Sequence, residues 1–308
     1  MTFHSDVYVA TAPRDMRLMH RKSFAARIRD RRVSGWLFML PLILINLFVV
    51  AIPSIFTLFF SFTDWSGVGD ANFIGIDNYT KLFTDPEFTN ALVHNIYWTV
   101  FFLIVPMTMG LFSAYALTRI RRFRVIFRVL YFIPHIVASV VNAAIWRSIM
   151  DPTAGFGSLL HLNFLGNPDT ALGSVAFINN WAWWGFLVVV FLAAMRSISP
   201  ALYEAASLDG AGPARQFFSV TLPGIRPTFV FLGLMTIIWS FLSFDYVYIL
   251  TQGGPAGSTD VLSTLLYRNA FTNQESGYAS ATGVVLALIS AIAVVTYLVI
   301  RRVKKWEI

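Results

Sequence analysis

The sequence predicts an all-α membrane protein of six transmembrane helices with both termini in the cytoplasm. Three observations carry that expectation. Of its 308 residues 56% are hydrophobic and only 13% charged, whereas soluble domains carry about a quarter charged residues. Apolar runs of about 20 residues or more, long enough to cross a bilayer, recur along the chain. The Lys and Arg residues are unevenly shared among the segments that join these runs. A β-barrel would show ~10-residue alternating segments, and none are present.

In order, the spans are expected at about Trp36–Phe60, Asn95–Leu117, Val125–Trp146, Leu172–Met195, Pro227–Leu250 and Tyr278–Ile300. Of the 23 basic residues, eight lie in the N-terminal arm and five follow the second span, at Arg119, Arg121, Arg122, Arg124 and Arg128. Arg196, Arg215 and Arg226 lie between the fourth and fifth spans, and Arg301, Arg302, Lys304 and Lys305 close the chain. The remaining connections hold only Lys81, Arg147 and Arg268. Positive charge stays on the cytoplasmic side, which places both termini there. The expected organisation is a basic cytoplasmic arm over 1–35, a six-span transmembrane region over 36–300 with a cytoplasmic loop at 196–226, and a basic tail over 301–308. The arm is not a signal peptide, because the apolar stretch behind it is too long for one and no small-residue cleavage site follows. It reads as a topology signal lying on anionic lipid, with a regulatory or partner-binding role as the alternative. On the outer side, Asp85-Pro86 reads as an N-cap followed by proline at the first helical position.

Composition removes several chemistries. There is no cysteine, so disulfides, thiolate catalysis and Cys-based zinc sites are excluded. His94 and His135 have no spacing partner, and a metal site needs three or four ligands, so neither a metal nor a catalytic site is expected. No GxxxxGK[ST] phosphate loop occurs, so any ATPase chemistry must come from a partner. No repeat of 20–50 residues and no low-complexity segment is found.

The loop at 196–226 is unusual for a membrane connection. Ser199-Pro200 reads as a helix start, and Ala201, Leu202, Ala205 and Leu208 fall on one helical face. Gly210 suits a C-terminal cap at positive φ. Gly212-Pro213 restarts a helix with Phe217, Phe218 and Val220 on its apolar side, and Leu222-Pro223 is expected to stop it. Two such short helices are unstable alone and need something to dock on, whereas an ordinary connecting loop needs no apolar face.

The spacing Glu204-Ala205-Ala206, Gly210, Val220, Leu222-Pro223 resembles the EAA signature of bacterial ABC importer permeases, with Val220 where Ile is usual. Four further stretches resemble the carbohydrate branch of that family, similar to maltose and glycerol-3-phosphate permeases. They are Phe73–Tyr79 with the residues up to Phe88, Leu130–Pro134 with Ile145-Trp146-Arg147, Phe244–Thr251 with Gly253-Gly254-Pro255, and Gly277–Ala281. Only the N-terminal arm and Thr153–Asn180 are weakly covered. The resemblance implies a type I ABC importer permease fold. It implies that Glu204, Ala205, Ala206, Gly210, Leu222 and Pro223 couple the spans to a cytoplasmic ATPase. It implies as partners a second homologous permease, two ATPase copies carrying ATP and Mg, and an extracytoplasmic solute-binding protein. Carbohydrate, or a related polar solute, is the implied cargo.

Candidates for the pathway come from polar groups within spans. Asp245 is the only acidic one, and an intramembrane acid faces the protein interior or a wet cavity; its other reading is a helix–helix hydrogen bond. Tyr246 follows it in the same motif. Asn142, Ser139, Ser240 and Ser243 suit hydroxyl binding or interhelical hydrogen bonding. Trp183, with Trp181 and Trp184, suits sugar stacking or interface anchoring. A secondary, ion-coupled transporter is the alternative function, but it would normally show a repeat and more intramembrane charge. A membrane enzyme would need clustered His, Asp or Glu. A sensor using the same docking loop without transport stays open.

Overall fold

The structure, a computed structural model, describes residues 36, 38–120 and 122–304. The basic arm expected at 1–35, Arg121 and the last residues of the tail lie outside the described residues. The chain forms two compact units, Met1–Phe56 and Thr57–Ile308. The described part of the first unit belongs to helix α1 (Phe38–Phe60). Leu47–Ala51 winds as a π turn just ahead of Pro53. Proline has no N–H and its ring presses on the carbonyl four residues back, which the wider turn relieves. Ser54 donates its hydroxyl to the Val50 carbonyl at 2.8 Å within the same turn.

The second unit begins with the last turn of α1 and continues in an ordered loop. Asp64 accepts from the backbone and side-chain amides of Asn72, and these two bonds hold its carboxyl below the usual carboxylate range. Buried Asn78 donates to the carbonyls of Ser61 and Thr63 at 3.0 and 2.8 Å, which fastens α2 (Asp77–Thr84) under the loop. Helix α3 (Pro86–Arg119) starts as expected, with Asp85 accepting from the Glu87 amide at 2.9 Å and Pro86 at the first position. It begins nine residues before the expected span because this polar first turn is helical too.

The third span is not the single helix expected over Val125–Trp146. It is α4 (Arg124–Ile136) and α5 (Ser139–Ile149), bent by 97°. Pro134 withholds a donor from the last turn of α4, and Val137 and Ala138 are extended. The bend is held against α7 (Pro168–Arg196). A Cβ on Gly185 would sit 1.8 Å from the Tyr131 carbonyl oxygen, so only glycine lets α4 approach this closely. One turn away, His135 Nδ1 lies 3.2 Å from the Ala182 carbonyl. Between α5 and α7, the short α6 (Phe156–Leu160) covers the connection.

Beyond α7 come α8 (Pro200–Leu208) and α9 (Pro213–Gln216), the latter running on through a π turn, Phe217–Thr221, and Leu222–Gly224. The expected stop at Leu222-Pro223 is therefore displaced to Ile225. Proline needs no N–H at the first position of a new helical turn, so it continues the chain direction here. The fifth span is α10 (Arg226–Phe241) and α11 (Asp245–Leu250), interrupted at 242–244. Helix α12 (Leu262–Tyr267) lies outside the spans, and α13 (Ser276–Lys304) is the last, so the first residues of the expected basic tail continue the helix. Among the described residues five helical stretches, one of them α10 with α11, are long and apolar enough to cross a membrane, and counting the bent α4–α5 pair as one span makes six.

Three buried clusters hold the second unit. One joins α3, α7 and α10 with Phe217 and Ile225 of the loop. A second packs Trp98 and Phe102 against Val175, Ile178, Tyr246 and Val247. The third closes the acidic end around Leu82, Phe88, Leu262 and Tyr278. Lipid tails are as apolar as leucine, so these contacts stabilise by close packing rather than by leaving water. Polar ties add direction at that end. Arg268 bridges buried Asp260 at 2.5 Å and Glu87 at 2.8 Å. Burial works against its charge, but the bond to Asp260 and the two carboxylates outweigh it and raise its pKa.

Candidate functional site

Five of the pathway candidates meet in one cavity of about 250 Å³. Trp183 comes from α7 and Ser240 from the end of α10. Ser243 comes from the break, and Asp245 and Tyr246 from the first turn of α11. The interruption at 242–244 matters for this. Thr236 and Ser240 follow at helical spacing on one face, and the non-helical residues at the break add Ser243 and Phe244 to the same wall.

Asn142, also a candidate, does not line the cavity, nor do Ser139, Trp181 and Trp184. Asn142 is buried in α5 and donates to the Tyr246 hydroxyl at 3.0 Å, so it holds Tyr246 from behind. Ser139, at the start of α5, donates to Asp245 Oδ2 at 3.0 Å. Asp245 thus accepts a helix–helix hydrogen bond and also lines the cavity. The break in the third span makes these two bonds, because it carries Ser139 and Asn142 across to α11.

Three wall residues carried no sequence signal. Trp239 stands edge-on to Trp183 with ring centroids 4.2 Å apart, and Trp98 stacks on Phe102 at 5.3 Å. Thr236 is a lone hydroxyl in an apolar run. Its Oγ1 and Trp183 Nε1 are buried with no hydrogen-bond partner among the described residues. Buried polar groups are nearly always paired, and in an apolar interior the unpaired state costs more than in water. Both unpaired groups belong to the wall of this cavity. Indole faces suited to apolar ring surfaces, hydroxyls and one carboxylate make a lining able to hold a polyhydroxylated solute.

The second arrangement lies at the basic end. Gly210 sits at φ +72°, where an L side chain is strained by about 1–2 kcal/mol, and it ends the α8 segment as expected. Ala201, Leu202, Ala205 and Leu208 all face outward, Leu208 being 90% exposed. The other side of the loop is anchored. Buried Gln216 accepts from Arg119 at 3.3 Å and donates to Ser207 at 2.9 Å and to the Ala211 carbonyl at 3.1 Å. Tyr115 donates to the Pro213 carbonyl at 2.8 Å, and Tyr203 pairs with Thr221 at 3.0 Å. Glu204 and Ala205 are exposed, Ala206 and Leu222 half-buried, and Pro223 exposed. The sequence reading missed Gln216, since an isolated glutamine in a first helical turn has no distinguishing pattern. Among the described residues no three His, Asp or Glu side chains gather to hold a metal.

Comparison with known proteins agrees with this architecture. Residues 107–305 match the family described as binding-protein-dependent transport system inner membrane component. The probable ABC transporter permease protein YurN of Bacillus subtilis is 34% identical over 85% of this chain and 94% of its own. The diacetylchitobiose uptake system permease protein NgcF of Streptomyces coelicolor is 36% identical, over 85% of this chain and 80% of its own. A solved bacterial alginate ABC transporter, in complex with an alginate pentasaccharide-bound periplasmic protein, contains a chain that superposes with a TM-score of 0.80. That chain is 24% identical, with 92% of this chain and 99% of that one covered. The bent spans, the anchored loop and these likenesses converge: the chain belongs to the family of inner membrane components of binding-protein-dependent transport systems, the permease subunits of ABC importers.

Proposed function

We propose that this permease forms half of the translocation pathway for a carbohydrate or closely related polar solute, and that its loop at 196–226 couples the spans to a separate ATPase on the cytoplasmic side. The observation that carries the coupling role is the two-sidedness of the loop. One side is fixed to α3 through Tyr115, Arg119 and Gln216, and the other offers Ala201, Leu202, Ala205 and Leu208 to a partner. A short helix fixed on one side and apolar on the other transmits a push from whatever docks there. Glu204, Ala205, Ala206, Gly210, Leu222 and Pro223 are the residues assigned to this element. ATP and Mg belong to the docked subunit, of which two copies are expected, alongside a second homologous permease and an extracytoplasmic binding protein.

For the solute, the cavity beside Asp245 is assigned to the pathway. Its indoles suit the apolar faces of sugar rings, and Asp245, Ser240, Ser243 and Thr236 suit their hydroxyls. The name of the NgcF relative, a diacetylchitobiose uptake permease, supports a saccharide. Asn142 acts through Tyr246.

Co-purification from gently solubilised native membrane is the test. An ATPase and a second permease are expected to elute with the tagged chain. Gly210→Pro is expected to abolish uptake while the protein remains in the membrane, because proline cannot adopt the observed φ of +72°. A chain that elutes without an ATPase, or normal uptake by Gly210→Pro, would overturn the coupling assignment.

A further inference from the structure

Behind the docking loop lies a second cavity, of about 460 Å³, between α8 and the basic ends of α3, α4 and α7. Three arginines from three different elements line it: Arg119 at the end of α3, Arg124 at the start of α4 and Arg196 at the end of α7. Glu204 is the one acidic residue in the lining, so three guanidiniums face one carboxylate.

Some of this charge has an ordinary role. The carbonyl ends of α3 and α7 point here, and cations belong at helix C-termini. Arg124 donates to the carbonyls of Ile120 and Thr118, and Arg119 donates through Nη2 to Tyr115 and Gln216. A guanidinium has five N–H donors, however, and these bonds leave the Nη1 groups of both arginines unused. Arg196 makes no hydrogen bond and no ion pair among the described residues. The three arginines share the lining with Leu192, Met195 and Ile198, which close the cavity toward the buried cluster of α3 and α7.

We infer that this cavity binds the phosphate headgroup of an anionic phospholipid. Arginine forks match phosphate oxygens in pairs, and basic pockets between span ends are suited to acidic lipid heads. Anchorage decides between an amphiphile and a bare anion. Free phosphate is held by the arginines alone, whereas a phospholipid headgroup is held by the arginines and kept nearby by its acyl chains in the bilayer. Ends of α3, α4 and α7 line the cavity, and a lipid reaches span ends by lateral diffusion. Because Tyr203 and Glu204 form part of the wall, an occupied site packs lipid behind the loop.

The test is native mass spectrometry of the intact transporter in mild detergent, with phosphatidylglycerol or phosphatidylcholine added at equal concentration. Wild-type protein is expected to retain phosphatidylglycerol in preference to phosphatidylcholine. Arg196→Gln, which breaks no bond in the protein, is expected to retain about fivefold less, the effect of losing one guanidinium near a charged headgroup. Arg196→Lys should fall between, and Arg215→Gln, outside the cavity, should match wild type. Equal retention by wild type and Arg196→Gln would overturn the inference. So would displacement of the bound species by millimolar inorganic phosphate irrespective of acyl chains. The readout is lipid binding, so it stands or falls independently of the ATPase assignment.

Discussion

Replacing Gln216 by Leu tests how firmly the docking loop is fixed to the bundle. The side chain is buried and makes three hydrogen bonds. Each is not equally valuable. The bond to Arg119 is long, at 3.3 Å, and Arg119 is exposed, so water replaces it at little cost. The bonds to Ser207 and to the Ala211 carbonyl, at 2.9 and 3.1 Å, tie α8 to α9 across the Gly210 turn. At about 0.5–1.5 kcal/mol each, and with some return from the added methyl groups, the loop should lose about 1–2 kcal/mol of local stability. Every 1.4 kcal/mol is a factor of ten, so amide exchange over Ser207–Gln216 should accelerate about tenfold while α3 and α7 stay protected. Hydrogen-exchange mass spectrometry reads this directly. Gln216→Glu separates the two sides of the link, since a carboxylate keeps Arg119 and loses both donors; it should resemble Leu in exchange. Unchanged exchange in both variants would refute the idea that Gln216 fixes the loop, and would remove its support for force transmission.

Asp260→Asn should lower the thermal midpoint clearly, because it leaves Arg268 without its buried partner, at a cost of about 1.5–3 kcal/mol for a charged hydrogen bond. Glu87→Gln, at a pair whose acid is 65% exposed, should change it by less than about 1 kcal/mol; equal effects would show that the order is wrong. Thr236→Val should leave folding unchanged or improved, since it removes an unpaired buried hydroxyl, yet slow solute uptake; unchanged uptake in Thr236→Val and in Trp183→Phe would detach both groups from the pathway. The Asp64–Asn72 closure has a pH signature. The Asp64 carboxyl is held low by the Asn72 amides, so its contribution is complete above the unfolded carboxylate pKa of about 4 and is lost as pH falls through the lower folded value. Exchange at the Asn72 amide should therefore hold through pH 5 and quicken only below about 4; loosening between pH 5 and 7 would contradict that.

Much of this was legible because it is periodic or punctuated. Apolar runs located the spans, Asp85-Pro86 located the start of α3, and Gly210 located the end of α8. The loop at 196–226 was legible twice, as two short helices around Gly210 and as a motif. The break between α4 and α5 was not, because Pro134 permits a kink without requiring one. What settles it is Gly185, about fifty residues on, which lets the Tyr131 carbonyl press against α7. The cavity was half legible. Asp245, Ser240 and Trp183 stand out as polar or aromatic groups in spans, but Thr236 and Trp239 differ little from any lone residue in an apolar run. Asn142 was recognisable as polar and in-span, yet nothing in the sequence says that it backs Tyr246 rather than facing the cavity. Partner choice among polar groups is set by tertiary approach, which one chain's pattern does not encode.

The broken third span also bears on how the chain enters the membrane. Helix α4 has 13 residues and α5 has 11, which at 1.5 Å per residue are about 20 and 17 Å long. A bilayer core is about 30 Å thick, so neither piece crosses alone. Their bent arrangement depends on Gly185 in α7 and on Asp245 and Tyr246 in α11, all synthesised later. During synthesis α4 and α5 therefore leave the ribosome without the contacts that define their angle. The final geometry is thus reached only once the fourth and fifth spans are in place. The cavity wall that Ser139 and Asn142 hold from behind is completed only after α11 has been made, more than a hundred residues later.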